Sequence, residues 1–169
     1  MAPESTKSKA PVILNGPSDW EIWESEFKGK AIAAHLWDHI NPDQVAPLLP
    51  KPPKPKVTKF QRGENASERA TSISDLRAGD RAIYQLEIQE YTQNQKEFEN
   101  EDKAVQKLKD WVYESVTSHL RAIACKPDKD LSVWYKELKQ QTGISQERAE
   151  AEAREKYKKA IWPLTNPKE

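Results

Sequence analysis

Residues 18–40 read SDWEIWESEFKGKAIAAHLWDHI, and the spacing of their aromatic side chains decides the fold class. Trp20, Trp23, Phe27, Ala31, Ala34 and Trp37 recur every three or four positions, which places them on one face of an α-helix. Each large ring buries about 150–250 Å², so a few of them can anchor a small helical core. Ser18-Asp19-Trp20-Glu21 has the capping-box pattern and predicts a start at Ser18. Asn41-Pro42 predicts the end, because proline pushes the preceding residue out of the α region. Ile22, Ile32, Leu36 and Ile40 lie off the aromatic stripe, which implies contacts on more than one side of this helix.

Immediately downstream the pattern stops. Six of the twelve prolines fall between Pro42 and Pro55, in NPDQVAPLLPKPPKPK, and proline both fixes φ and removes a backbone donor. That segment is expected to be neither helix nor central strand. Residues 56–79 are polar and weakly patterned and read as a loop with short helical turns. Asp80 opens a helical stretch with Ile83, Leu86, Ile88 and Tyr91, and a second run carries Val105, Leu108, Val112, Val116, Leu120 and Ile123. No breaker separates the two, so one long helix, continuous or with a modest kink, is expected rather than a turn. Lys126-Pro127-Asp128 starts a further helix with Leu131, Trp134, Tyr135 and Leu138, which Gly143 stops. Ser145 caps a last, largely solvated helix whose apolar contacts would be Ile144, Ala149, Ala153, Tyr157, Ala160 and Ile161. Five glycines in all, and no Asn-Gly or Asp-Gly hairpin signal between strand-like runs, complete an all-α reading of about five helices.

Composition sets the outer limits. Of 169 residues only 36% are hydrophobic, below the roughly 45–50% of an average domain, so the core is small for the length. There are 27 Lys+Arg and 27 Asp+Glu, and the net charge is zero. That balance hides a segregation: residues 18–41 carry −3, residues 80–124 carry −3, and residues 42–62, with five cations against one acid, carry +4. A whole-domain nucleic-acid surface is therefore not expected. No stretch approaches the roughly 20 apolar residues of a membrane helix, and MAPESTKSKA has no apolar centre of a secretory signal. One cysteine, Cys125, excludes an intrachain disulfide and fits a reducing, cytoplasmic location.

Reactive groups are sparse. His35 and His39 stand four apart, on one face of the predicted helix. They are not a zinc-protease pair, because Leu36 occupies the general-base position and no third ligand is signalled. Cys125 reads as core packing. The EFENED run, 97–102, lacks the spaced ligands and glycine of a calcium loop, and no phosphate-binding glycine loop exists. No catalytic residue, cofactor or metal is expected, and the chain reads as a non-enzyme. The proline segment has two readings: a stiff spacer, or a ligand for an aromatic groove through the PxxP matches that start at Pro47, Pro50 and Pro52. Lys51, Lys54, Lys56, Lys59 and Arg62 are candidate contacts for RNA or a partner, with Phe60 the one ring near them in sequence.

The order of the pieces carries a resemblance. Leu14-Asn15-Gly16 is followed by Trp20 and Trp23, Trp37 precedes Ile40-Asn41-Pro42-Asp43, PLLPKPP follows, and Ile73-Ser74-Asp75-Leu76 stands ahead of the long helix and a closing YKKAIWPL. Over roughly residues 12–165 this resembles the N-terminal part of the Gag polyprotein of fungal copia-type LTR retrotransposons. The resemblance implies a helical capsid-type domain that self-assembles into virus-like particles around element RNA. One cysteine cannot supply the Cys₂-His-Cys ligands of a zinc knuckle, so RNA contact by this chain is expected to be weak and without sequence specificity.

The resulting expectations are a tail at 1–17, a helical domain at 18–165 with a connector and loop at 42–79, and a short tail at 166–169 toward a following domain. Trp20, Trp23, Phe27, Trp37, Trp111 and Trp134 would form the aromatic core, and Trp162 an inter-domain contact. The exposed face of the first helix and residues 146–159 are the expected contact surface. The partner would be a second copy of the chain; the alternative is a domesticated adaptor that shows residues 47–56 to a proline-reading protein.

Overall fold

The computed structural model describes the backbone of residues 12–143 and 146–165, and the side chains of these except 65–66, 146–149 and 162–165. Among them are six α-helices and one two-stranded antiparallel ribbon, so the chain is predominantly all-α. The helices are α1 (Trp20–Ala33), α2 (Trp37–Ile40), α3 (Ala78–Ser115), α4 (Ser118–Ala124), α5 (Leu131–Thr142) and α6 (Gln146–Thr165), and the strands are β1 (Gln61–Arg62) and β2 (Asn65–Arg69). The chain divides into two compact units, Met1–Ala46 with Lys107–Glu169, and Pro47–Gln106; α3 contributes to both.

In the first unit, α1 buries Trp20, Trp23, Phe27 and Ala31, the face that the spacing predicts. Its start differs from the expectation. Pro17–Asp19 form a 3-10 turn, Asp19 is the N-cap, and the Ser18 capping box does not form. The Asp19 carboxylate instead accepts the Asn15 N–H at 3.1 Å. Nor does the helix run on to Asn41. His35 adopts φ 57°, the His35 N–H donates to Ile32 O at 3.0 Å and the Leu36 N–H to Ala31 O at 2.8 Å, which is a Schellman stop. Leu36 and Ala31, the apolar pair of that motif, are both buried. Trp37 therefore belongs to a separate short helix, and His35 and His39 do not share a helix face.

The long-helix expectation holds from Ala78 to Ser115, but Val116 and Leu120 are not part of it. Leu14 inserts at the break: its N–H donates to Ser115 O at 2.7 Å and its carbonyl accepts the Thr117 N–H at 3.1 Å, in a parallel bridge to Val116. The side chains of Leu14, Val112 and Val116 are almost completely buried, so the insertion exchanges helical hydrogen bonds for equivalent ones plus apolar burial. Lys126-Pro127-Asp128 makes a turn rather than a first helical turn, and α5 begins at Leu131 behind the N-cap Asp130. Leu131, Trp134, Tyr135, Leu138 and Thr142 of α5 are buried, and Gly143 ends the helix as expected.

In the second unit the proline segment is neither helix nor strand, as expected, but it is held against α3: the Leu49 N–H donates to Glu101 Oε1 at 2.6 Å, and Pro52 and Pro55 are half-buried. Residues 56–79 contain more order than a loop. A 3-10 turn at Val57–Lys59 leads into β1, and a tight turn at Gly63, φ 51°, reverses the chain into β2. A second 3-10 turn, Ile73–Asp75, is closed by a capping box between Ser72 and Asp75. Ala70, Leu76 and Tyr84 form a small core with Val57, Phe60 and Ile88 around it, and the Phe60 ring meets Tyr84 edge-on at 6.2 Å.

Candidate functional site

The densest arrangement in the first unit is an aromatic cluster. Trp23 stacks on Phe27 at 5.2 Å and on Trp111 at 5.6 Å, while Tyr135 touches Trp20 at 5.9 Å, Phe27 at 5.3 Å and Trp37, edge-on, at 5.6 Å. Of the six rings expected in the core, Trp20, Trp23, Phe27 and Trp134 are buried, and Trp37 and Trp111 are half-buried. Trp134 stands on its own polar anchor, donating its indole N–H to Lys126 O at 2.7 Å. The hub that the sequence reading did not single out is Tyr135. Its hydroxyl donates to Glu24, which also pairs with Lys28 at 3.2 Å and lies 4.0 Å from Lys139. Burial, then the Glu24 hydrogen bond and charge, push the Tyr135 phenol far above its ordinary range, so it stays a neutral donor.

His39 and Cys125, two further chemistry-bearing groups of this unit, are held by a backbone contact and by burial. His39 Nδ1 lies 3.0 Å from Ala46 O. Burial pushes the Cys125 thiol up to about 11, with Arg121 only partly opposing it, so the nucleophilic thiolate is suppressed at neutral pH. Cys125 lines an open cleft of about 350 Å³ with Tyr113, Ser118, Arg121, Lys126 and Pro127. There Arg121 stacks on Tyr113 at 4.2 Å and donates to Val116 O at 3.0 Å, and Lys126 donates to Ala122 O at 2.6 Å. Both cations serve helix-end carbonyls. Among the described residues no group of three His, Cys, Asp or Glu side chains could hold a metal ion, and no helix is long and apolar enough to cross a membrane.

The second unit gathers the candidate cations. An open groove of about 560 Å³ runs between the proline segment and α3, lined by Pro52, Pro53, Lys54, Pro55, Lys56, Lys59, Glu87, Glu90, Tyr91 and Asn94. Tyr91 is the ring that sequence distance hid from these lysines. The cations are not equivalent. Lys59 is bound to Glu87 at 2.6 Å, and Arg62 lies 3.6 Å from Glu68 and 3.5 Å from Asp75. Lys51, Lys54 and Lys56 are exposed and form no ion pair among the described residues. Pro47, Pro50 and Pro53, three apart, are exposed, and Pro53 also lines the groove with the half-buried Pro52 and Pro55.

Two further surfaces stand out. Along the outer side of α1, Ile22 (54% exposed), Ser25, Gly29 and Ile32 (58%) form a stripe, although both isoleucines were expected to be covered. Every described α6 side chain from 150 to 160 is exposed, including Ala153, Tyr157 and Ala160, which were expected to make the apolar contacts of this helix. Ile144, Ser145 and the side chains of Ala149 and Trp162 lie outside the described residues. No family model, curated protein or solved structure matches the chain.

Proposed function

We propose that the chain is a structural, non-enzymatic module that associates with copies of itself, as the capsid-type N-terminal region of a Gag polyprotein does when it builds particles around element RNA. The observation that carries the reading is the outer stripe of α1. Two isoleucines more than half exposed, with only Ser25 and Gly29 between them, make an apolar helix surface that a second helix can approach closely. The engagement of Tyr135, His39 and Cys125 in packing and local hydrogen bonds supports a structural role, and zero net charge keeps repulsion between copies small.

Sedimentation velocity and negative-stain microscopy across concentration test this reading. Ile22→Glu with Ile32→Glu is expected to abolish large species while leaving the unfolding free energy within about 0.5 kcal/mol of the parent for each substitution, as for other exposed sites. A strict monomer at every concentration overturns the reading. The adaptor alternative is favoured by a different observation, the exposure of Pro47, Pro50 and Pro53, three apart, on a segment already held in place. It predicts a defined partner that is lost on replacing those three prolines and retained on replacing Ile22 and Ile32.

A further inference from the structure

The cleft beside α4 holds charge that the protein does not neutralise. In the second unit the groove sets Glu87 and Glu90 among its lysines, whereas this cleft is lined by Arg121 and Lys126 and by no carboxylate among the described residues. Neither cation forms an ion pair there, and the nearby Asp128 lies 3.6 Å from Lys129 instead. The Cys125 thiol, kept neutral by burial, adds no negative charge. Both cations are also fixed in place. Arg121 lies over the Tyr113 ring at 4.2 Å and spends Nη2 on Val116 O at 3.0 Å. Its Nε is buried without a partner; Nη1 makes no hydrogen bond either but is not buried, so it is the donor left open to solvent. Lys126 donates to Ala122 O at 2.6 Å, and its own carbonyl is pinned by the Trp134 indole at 2.7 Å and the Lys129 N–H at 3.1 Å. An ammonium keeps further donors after one such bond. The exposed Ser118 adds a hydroxyl to the same lining.

Cations already held by their own protein contacts lose little freedom when an anion arrives. A carboxylate brings one charge and a phosphate monoester about −1.5 to −2 at neutral pH, so the phosphate answers two uncompensated cations better, and a guanidinium matches its oxygens in shape. The volume, about 350 Å³, is near the lower end for small-molecule pockets, and Tyr113 and Pro127 supply apolar wall. The occupant is therefore compact. We propose that this cleft binds the phosphate group of a small phosphorylated molecule, with Arg121 Nη1, Lys126 Nζ and the Ser118 hydroxyl as its donors. The site lies wholly in the first unit and does not depend on the self-association reading.

The test is calorimetric titration of the full chain with phenyl phosphate and with inorganic phosphate, at constant ionic strength and neutral pH. Saturable binding is expected for both, with a dissociation constant of about 1 mM or tighter for phenyl phosphate, and acetate is expected to bind at least about tenfold more weakly. Lys126→Gln changes an exposed side chain, and Arg121→Lys keeps the charge while removing the planar fork; each is expected to weaken phenyl phosphate by at least about fivefold. Far-UV circular dichroism confirms that both variants remain folded. Lys54→Gln with Lys56→Gln, in the other unit, is expected to leave the titration unchanged. Absence of saturable heat, acetate bound as tightly as phosphate, a Lys126→Gln titration like the wild type, or a loss that follows Lys54 and Lys56 overturns the proposal. Short single-stranded RNA that binds and is lost in the Arg121 and Lys126 variants, while phenyl phosphate gives no heat, overturns the small ligand in favour of a nucleic-acid backbone.

Discussion

Trp23 shows how a single side chain can hold several elements at once. Its ring is fully buried between Phe27 and Trp111, and its indole N–H donates to Ser115 Oγ at 2.9 Å, beside the point where Leu14 interrupts α3. Ser115→Ala would leave that buried donor without a partner and is expected to cost about 1–3 kcal/mol in chemical denaturation. Trp23→Phe combined with Ser115→Ala should recover part of that loss, since the orphaned donor is then gone; a double mutant no better than the sum of the singles argues against the bond's role. Asp75 does equivalent work in the second unit. Its Oδ2 accepts the Thr71 N–H and hydroxyl at 2.9 Å each and the Ser72 N–H at 3.1 Å, with Arg62 3.5 Å from Oδ1. The Thr71 bonds, then Ser72, then the Arg62 charge lower its pKa from an ordinary 3.8 to about 2. A lowered native value means that stability is fully present above pH 3.8 and is lost as pH falls through about 2. Asp75→Asn should flatten the stability profile over that window, and an unchanged profile would show that the turn does not depend on the charge. The tryptophan face was legible from spacing alone; Tyr135 as hub was not, because its partners come from α1 and α2, far away in sequence.

At the scale of elements, the periodic stretches were readable and their interruptions were not. Apolar residues at helical spacing continue past Ala33 and past Ser115, so nothing local marks either break. Each is imposed by burial: Leu36 turns inward through a Schellman stop, and Leu14 takes the carbonyl of Ser115 and the amide of Thr117. The ribbon was missed for the opposite reason. Its turn is Gly63-Glu64, without the Asn-Gly or Asp-Gly pair that usually announces a hairpin, and β1 is only two residues long. The first break carries a measurable cost. His35 holds φ 57° with a side chain that is exposed, where glycine is the usual choice. His35→Gly is expected to stabilise the chain by about 0.5 kcal/mol, the relief of left-handed strain being partly offset by glycine's extra freedom in the unfolded state. A loss of stability in urea would show that the histidine ring contributes more than its backbone costs. A different constraint, steric rather than conformational, forbids a side chain at Gly143, where an added Cβ would sit 2.3 Å from the Lys139 carbonyl oxygen.

At the scale of the whole molecule, zero net charge conceals a basic segment, and within that segment two of the five cations are already paired. The +4 segment suggests five phosphate contacts, yet Lys59 and Arg62 are already engaged by Glu87, Glu68 and Asp75, and Glu87 and Glu90 line the same groove as Lys54 and Lys56. Sequence could count those charges but could not pair them, because their partners lie on β2, in the following turn and on α3. Of the five candidate contacts, the structure leaves Lys51, Lys54 and Lys56 exposed and without an ion pair among the described residues, with Tyr91 as the ring beside the last two. Each phosphate contact on a single strand contributes about 0.7 to the slope of log affinity against log salt, so three lysines correspond to a slope near −2. Replacing Lys51, Lys54 and Lys56 with glutamine should remove most of that slope for a single-stranded RNA of arbitrary sequence, whereas Lys59→Gln should change it by less than about 0.7. Binding measured by fluorescence anisotropy from low to physiological salt separates the two. If Lys59→Gln weakens RNA as much as the triple replacement, the Glu87 pair opens on binding and the footprint is the full basic segment. If neither has an effect, RNA enclosure by a particle built from this chain must rest on other residues.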